Sequence, residues 1–196
     1  MTQALDRTED PRAERSRAAL IATIGRLGEA SDATPNVSTV TRAANVHRAT
    51  FYNHFESVEQ LAVDAIDEQL ERLREVDYRG RHEGLRPEVV GARTLDNILQ
   101  FFDAHPGLYR IASAWVASSG LSGVGEVIRR QVHSFRVEFD DSAAAEGAEA
   151  AAEETYIAGG MTAVFAAVLS GDLPRDHASI RLLELLPEWM QHPLRA

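Results

Sequence analysis

Apolar residues recur every three to four positions along most of this chain, which is the spacing of one face of an α-helix. The first such run covers residues 13–29, with Ala19, Leu20, Ile24 and Leu27 on one side. Glycine, proline and polar clusters separate the later runs. The pattern predicts helices over about residues 13–29, 37–44, 48–54, 58–76, 88–104, 106–119, 122–139, 150–169 and 179–190. With no convincing strand and no internal repeat, the sequence predicts an all-α protein of about nine helices.

Residues 37–55 contain two short helical patterns that meet at a tight turn. Asn36 is a good N-cap for the first helix. Asn45 occupies the turn, where a residue must tolerate a positive φ. Ser57 and Gln60 form a capping box that begins the next helix. The residues that would pack between the short helices are small or apolar: Val40, Ala44, Val46, Phe51 and Phe55.

The second short helix carries polar groups on its outer face. A helix-turn-helix places such a helix in the major groove of DNA. Arg48 has the geometry to donate two hydrogen bonds to O6 and N7 of guanine. His47, at the start of the helix, can cap it or touch a phosphate or a base. We predict that the DNA-binding residues are Asn36, His47, Arg48, Thr50, Tyr52, Asn53 and His54.

The stretch from Val40 to Leu61 resembles the DNA-binding signature of the tetracycline-repressor (TetR) family. Its turn is filled by Ala44-Asn45-Val46, and the aromatic core of the signature is filled by Thr50-Phe51-Tyr52-Asn53-His54-Phe55. The resemblance extends over about residues 13–62. Three positions depart from the family pattern, in which glycine, serine and lysine are usual: Asn45, His47 and Val58.

The resemblance implies that Tyr52 donates its hydroxyl to a phosphate. Asn53 and His54 are further candidates for backbone contacts, which position a helix without reading sequence. The departure at Val58 removes one expected phosphate contact. Two alternatives stay open at this point: Tyr52 and His54 could pack against neighbouring helices, and Arg48 could simply be solvated.

The same resemblance implies two domains, a DNA-binding domain over residues 13–60 and a regulatory, dimerising domain over residues 61–196. The expected function is a ligand-responsive transcriptional repressor that binds a near-palindromic DNA operator and is released by a small-molecule inducer. Bulky aromatic residues interleaved with small ones in the second domain could enclose a ligand, although such residues more often fill a core. The candidate ligand-binding residues are Phe102, Tyr109, Trp115, His133, Met161 and Phe165.

A homodimer is expected to form through the helix around residues 150–169 and the last helix. The first of these has a face of glycine and alanine that permits close helix approach, and the second is rich in leucine. The candidate interface residues are Gly159, Gly160, Ala163, Leu182, Leu186 and Trp189. The alternative is that they pack within one subunit. Such a dimer would place two recognition helices about 34–36 Å apart, one turn of DNA.

Composition and charge limit the classes of protein to which this chain can belong. The net charge of −10 is uneven, since residues 1–60 carry 7 arginines and 8 acids, whereas residues 61–196 carry 13 arginines and 22 acids. The chain contains no cysteine, no apolar leader and no apolar run of the length that a membrane span needs. We therefore expect a soluble cytoplasmic protein without a cofactor or metal, and a solvated acidic loop at residues 140–154.

Two other classes of function are weighed against a regulator. An enzyme is disfavoured because the sequence has no glycine-rich phosphate loop, no His-Glu-x-x-His zinc pattern and no Gly-x-Ser-x-Gly elbow. A helical interaction protein that has lost operator binding remains an alternative, because the overall charge is acidic and Val58 replaces a phosphate-binding lysine.

Overall fold

The computed structural model describes residues 11–139, 147–176 and 178–191, and the chain forms ten helices and no extended strand within these ranges. The all-α prediction is confirmed. In chain order the helices are α1 (Pro11–Ala30), α2 (Val37–Ala44), α3 (Arg48–His54), α4 (Val58–His82), α5 (Pro87–Ala104), α6 (Pro106–Ser113), α7 (Gly123–Phe139), α8 (Ala148–Ser170), α9 (Ala178–Leu185) and α10 (Glu188–Gln191). Residues 1–10 and residues 140–146 lie outside the described residues. The loop predicted over residues 140–154 is wrong from Ala148 onwards, where α8 begins, and Glu154 is buried.

The local signals around α2, α3 and α4 act as the sequence predicts. The Asn36 side chain accepts a hydrogen bond of 2.9 Å from the Thr39 amide and so caps α2. Asn45 ends that helix in the left-handed region, at φ 55° and ψ 44°. Ser57 caps α4 by accepting from the Gln60 amide, and the Gln60 side chain accepts from the Glu56 amide in return. The boundaries of α2 and the start of α4 therefore come from short-range hydrogen bonds, whereas His47 begins α3 without a side-chain cap.

Helices α1, α2 and α3 form a small head around a core shared with the start of α4. The core side chains are almost fully buried: Leu20, Ile24, Val40, Phe51, Phe55 and Leu61. The rings of Phe51 and Phe55 lie 5.8 Å apart and tilted. Because both aromatic side chains project inward, the remaining positions of α3 are left for solvent or a ligand.

Helix α4 links this head to the rest of the molecule and is longer than predicted. Its predicted end near Val76 is wrong, since the helix continues to His82 through Gly80. The extra turns are held by a buried ion pair between Asp77 and Arg81, one helical turn apart. Gly80 itself is buried against Val90 of α5, so packing outweighs the low helix propensity of glycine.

The C-terminal boundaries also differ from the sequence pattern. The predicted helix over residues 106–119 ends at Ser113, followed by a tight loop with Gly120 at φ +81°. The predicted last helix is divided into α9 and α10 by Pro187, which cannot continue a helix because it lacks the amide proton. This division accounts for ten helices where about nine were expected.

The head touches the larger body at a contact between two glycines. Gly28 of α1 and Gly107 of α6 approach so closely that a Cβ atom on Gly107 would lie 2.0 Å from the carbonyl oxygen of Gly28. Beside them, the Arg110 guanidinium donates to the Ser31 carbonyl at 3.1 Å. The head is therefore attached to the body at α6 as well as through α4. Among the described residues, no helix is long and apolar enough to cross a membrane.

Candidate nucleic-acid interface and internal cavity

The outer face of α3 presents the predicted DNA-binding side chains. His47, Arg48, Tyr52 and Asn53 are exposed, with Tyr52 at 49% of its full accessibility, while Thr50 and His54 are half-buried. Asn36 is exposed too, but its carboxamide oxygen is engaged in capping α2. The helix therefore brings the predicted set to one side of the head, although contact with DNA remains a prediction for each residue.

Arg48 and Tyr52 interact with each other on this face. The Arg48 guanidinium donates to the Tyr52 hydroxyl at 3.1 Å and lies 5.6 Å from the centre of its ring. Tyr52 meets the edge of the buried Phe51 ring at 5.4 Å. The Arg48 side chain is thus held against a tyrosine that is itself supported by the core of the head.

Two residues of the predicted signature have structural roles. Val58 is 4% exposed and belongs to the hydrophobic core, so its side chain does not project from the start of α4 as a phosphate ligand would. The half-buried His54 ring lies 6.0 Å from the Phe55 ring. Val58 therefore packs the start of α4 into the core, while His54 remains a candidate contact to DNA.

The larger body contains an internal cavity of about 90 Å³. Its wall is mostly aliphatic and comes from α4, α5, α7, α8, α9 and the final turns of the chain. The lining residues are Leu70, Arg74, Asp77, Arg81, Gly91, Thr94, Leu95, Ile98, Ile128, Gln131, Val132, Phe135, Met161, Leu183, Leu186 and Met190. Of the six residues predicted to bind a ligand, Met161 lines this cavity.

One wall of the cavity is polar. Asp77 and Arg81 form an ion pair whose side chains are only 4% and 2% exposed. The Thr94 hydroxyl donates to the other carboxylate oxygen of Asp77 at 2.9 Å. A buried ion pair costs several kcal/mol in desolvation and often contributes little net stability. The pair places a carboxylate and a guanidinium on an otherwise mostly aliphatic wall.

The sequence did not identify Asp77, Arg81 and Thr94 because residues 77–87 were predicted to form a loop. Gly80 and Gly84 suggested that the helix had ended. The available signal was the spacing of four between Asp77 and Arg81, which places opposite charges on one helical face. The burial of the pair depends on α5 and α7, so the sequence could not reveal it.

The other predicted ligand residues lie elsewhere. Phe102 is buried between Tyr109 and Phe165, with ring centres 4.9 and 5.9 Å away, in a cluster that fills the core. Trp115 is half-buried against the same core. His133 is partly exposed and its Nδ1 lies 3.1 Å from a carboxylate oxygen of the buried Glu154. A ligand contact at these positions remains a prediction without support from the cavity.

A chain of polar contacts joins the cavity wall to the head. The Arg74 guanidinium donates to the Gln131 side chain at 3.1 Å, and Gln131 donates to Asp67 of α4 at 2.8 Å. The next residue of α4, Glu68, forms an ion pair with Arg17 of α1. Helices α1, α4 and α7 are therefore linked by one group of hydrogen bonds and ion pairs.

The neighbouring Asp64 belongs to the same group. Its carboxylate lies 3.8 Å from the Arg17 guanidinium. Burial raises the pKa of Asp64, while the positive charges of Arg17 and Arg130 oppose that shift. Among the described residues, no group of three or more histidine, aspartate or glutamate side chains is placed to hold a metal ion.

The predicted dimer residues fall into two groups. On α8, Gly160 and Ala163 are exposed and Gly159 is partly exposed, in line with Tyr156, which is 82% exposed. The others turn towards the body of their own subunit. Leu182 and Leu186 are buried, Leu186 against the cavity, and Trp189 is half-buried over the Arg136 guanidinium.

The arrangement of helices is similar to that of RolR. The crystal structure of RolR in complex with the ligand resorcinol aligns with a TM-score of 0.51 and 22% sequence identity, over 94% of this chain and 97% of that chain. The structure of RolR without ligand gives a TM-score of 0.48 and 20% identity, over 91% and 98% of the two chains. No family model and no curated protein sequence matches this chain. At this identity the similarity concerns the fold.

Proposed function

We propose that this chain is a ligand-responsive DNA-binding transcriptional regulator of the TetR type, acting as a repressor. The observation that carries the proposal is α3, a short helix whose Phe51 is buried in the head and whose exposed face carries Arg48, Tyr52 and Asn53. A recognition helix needs this division, since its orientation must be fixed while its polar groups stay free to meet base edges and phosphates.

The charge distribution is compatible with this role. Residues 1–60 have a net charge of −1, compared with −9 for the remainder, so the DNA-facing part is the least acidic part of the chain. Binding would depend on a few phosphate contacts from α3 and the caps of α2, and should weaken steeply as salt rises.

A mobility-shift titration tests the proposal, with DNA from upstream of the chain's own gene against a scrambled duplex of equal length. We expect binding to the upstream DNA to be at least about a thousandfold tighter than to the scrambled one at physiological salt. Equal and weak affinity for both would instead support an interaction protein that has lost operator binding.

The proposed control mechanism is a shift between two conformations of the body. Helix α4 contacts the head at its start and lines the cavity near its end, with Leu70, Arg74 and Asp77. A ligand in the cavity can change operator affinity only by binding one conformation better than the other. The contacts from Arg74 through Gln131 to Asp67 provide a second connection towards α1.

This mechanism predicts that a compound shown to bind the cavity also weakens operator binding. In a Gln131→Leu variant, the compound's effect on operator affinity should shrink, because the contact from the cavity wall to Asp67 is lost. Calorimetry measures compound binding and the shift titration measures its effect on DNA. A compound that fills the cavity and leaves operator affinity unchanged would refute the mechanism.

We further propose that the chain is a homodimer through the exposed face of α8. Gly160 and Ala163 permit close approach of a second helix, and Tyr156 would be an exposed aromatic without a partner copy. On helix α9, Leu185 is 72% exposed and is a further apolar candidate for the interface. The interface proposed on this basis uses Leu185 in place of the buried Leu182.

A Gly160→Arg substitution should convert this dimer to a monomer. A Cβ atom at Gly160 meets nothing within 4 Å in the subunit, so the change leaves the fold intact, whereas an arginine on α8 would hold two copies apart. Sedimentation equilibrium at micromolar concentration measures the result. Gly25→Arg, at a helical glycine with similar space around it, is the matched control and should remain dimeric. A wild-type chain that sediments as a monomer would contradict the proposal.

A further inference from the structure

The cavity has the size and shape of a site for one ring. Its volume of about 90 Å³ is well above the roughly 10–15 Å³ that a single water needs and below the 150 Å³ of an engineered cavity that binds benzene. Met161 and Met190 lie on its wall, and methionine side chains adjust to the shape of a ligand more readily than branched ones. A six-membered ring can therefore enter with a small displacement of these side chains.

The polar wall offers a hydrogen-bond acceptor to that ring. Arg81 and Thr94 each donate to the Asp77 carboxylate, one to each oxygen. A carboxylate has about four acceptor sites, so Asp77 can accept a further hydrogen bond from a ligand hydroxyl. Such a bond to an ionised, buried group is stronger than one between neutral groups.

The charges around the cavity favour a neutral ligand. Asp77 is paired with Arg81, and Arg74 is paired with Glu138 and hydrogen-bonded to Gln131. A charged ligand would have to break one of these pairs or remain unpaired in an apolar environment, and both are unfavourable. A neutral hydroxyl needs no such rearrangement.

The apolar wall favours an aromatic ring over a saturated one. Phe135 lies on the wall, and Met161 and Met190 place thioether sulfurs around the same space. Aromatic rings gain from edge contacts with phenylalanine and from contacts with methionine sulfur. On these grounds we infer that the cavity binds a neutral, single-ring phenolic compound whose hydroxyl donates to Asp77. This inference rests on the proposed function only in taking the cavity as the regulatory site.

Calorimetric titration of the purified full-length chain with phenol, anisole, benzoate and cyclohexanol tests the inference. All four probes contain one six-membered ring. Compared with phenol, anisole lacks the hydroxyl donor, benzoate carries a negative charge, and cyclohexanol is not aromatic. We expect phenol to bind at least about tenfold more tightly than anisole and benzoate, which have no hydroxyl to donate to Asp77, since a hydrogen bond to a charged group is worth about that factor. Cyclohexanol keeps the hydroxyl but lacks the aromatic ring, so it should also bind more weakly than phenol. Equal binding of phenol and anisole, tighter binding of benzoate, or no binding of phenol at millimolar concentration would overturn it.

Two variants locate the binding. Asp77→Asn should remove the preference for phenol over anisole, and Asp103→Asn, which makes the same change at an exposed ion pair with Arg175, should keep it. Because Asp77→Asn leaves a buried arginine and could impair folding, Ile98→Phe provides a second variant that fills the cavity with an apolar ring. Unchanged phenol binding in a folded Ile98→Phe protein would place the site elsewhere and refute the inference. The shift assay with operator DNA needs no ligand, so a failure of the phenol inference and a failure of DNA binding are separately visible.

Discussion

Replacing Gly107 with alanine is expected to destabilise the protein by about 3 kcal/mol, the upper part of the range for overpacking a core. The added methyl would lie 2.0 Å from the Gly28 carbonyl oxygen and 2.3 Å from its carbonyl carbon, and backbone atoms cannot rotate out of the way as a side chain can. Helix α6 must move away from α1. For a chain of this size, the melting temperature should fall by about 6–12 °C, which differential scanning calorimetry measures.

Gly25→Ala is the matched control for this prediction. Gly25 lies one turn before Gly28 on α1, and a Cβ atom there meets nothing within 4 Å. Because alanine favours a helix over glycine by about 1 kcal/mol, this variant should be slightly more stable than the wild type. If both variants unfold at the same temperature, the close contact between α1 and α6 is absent in solution.

Replacing Arg48 with alanine is expected to weaken operator binding by about 1–3 kcal/mol and to relax specificity at one base position. Arg48 is the exposed cation of α3, and its guanidinium can pair with O6 and N7 of guanine. Shift titrations at fixed salt, with single-base variants of the operator, measure both effects. Unchanged affinity and specificity would show that Arg48 is merely solvated.

Two further variants separate the roles of charge and orientation. Arg48→Lys keeps the charge but cannot make the two parallel hydrogen bonds, so it should lose more specificity than affinity. Tyr52→Phe removes the hydroxyl that accepts a hydrogen bond from Arg48. This variant should weaken operator binding without relaxing specificity at one base position. Arg181→Ala, at an arginine 74% exposed on α9, is the control for a general loss of positive charge and should bind as the wild type does.

The head could be predicted in detail because its structure depends on short-range signals. The caps at Asn36 and Ser57, the left-handed Asn45 and the inward pair Phe51 and Phe55 all form within about 20 residues of one another. Each position has a strong local preference that the tertiary structure does not oppose. The sequence therefore predicted both the helices and the polar face of α3.

The cavity could not be predicted from short-range signals because it is formed by residues far apart in the chain. Asp77, Thr94 and Gln131 come from three helices, and nothing local to any of them shows that they share a space. Aromatic residues did not mark the cavity, since Phe102 and Phe165 fill the core beside each other. Leu186 was predicted at the dimer interface from its leucine-rich helix, whereas its side chain is buried on the cavity wall.

The glycine contact between α1 and α6 has a mechanical consequence. Helix α5, which lines the cavity with Thr94, Leu95 and Ile98, continues into α6 across the single residue His105. A ligand that displaces α5 would therefore also displace α6. Because no side chain lies between Gly107 and Gly28, a movement of α6 would pass directly to α1. The head is held at two separate points, α4 and α6. We expect unequal movement of these two supports to tilt the head, so that an expansion of the cavity would rotate α3.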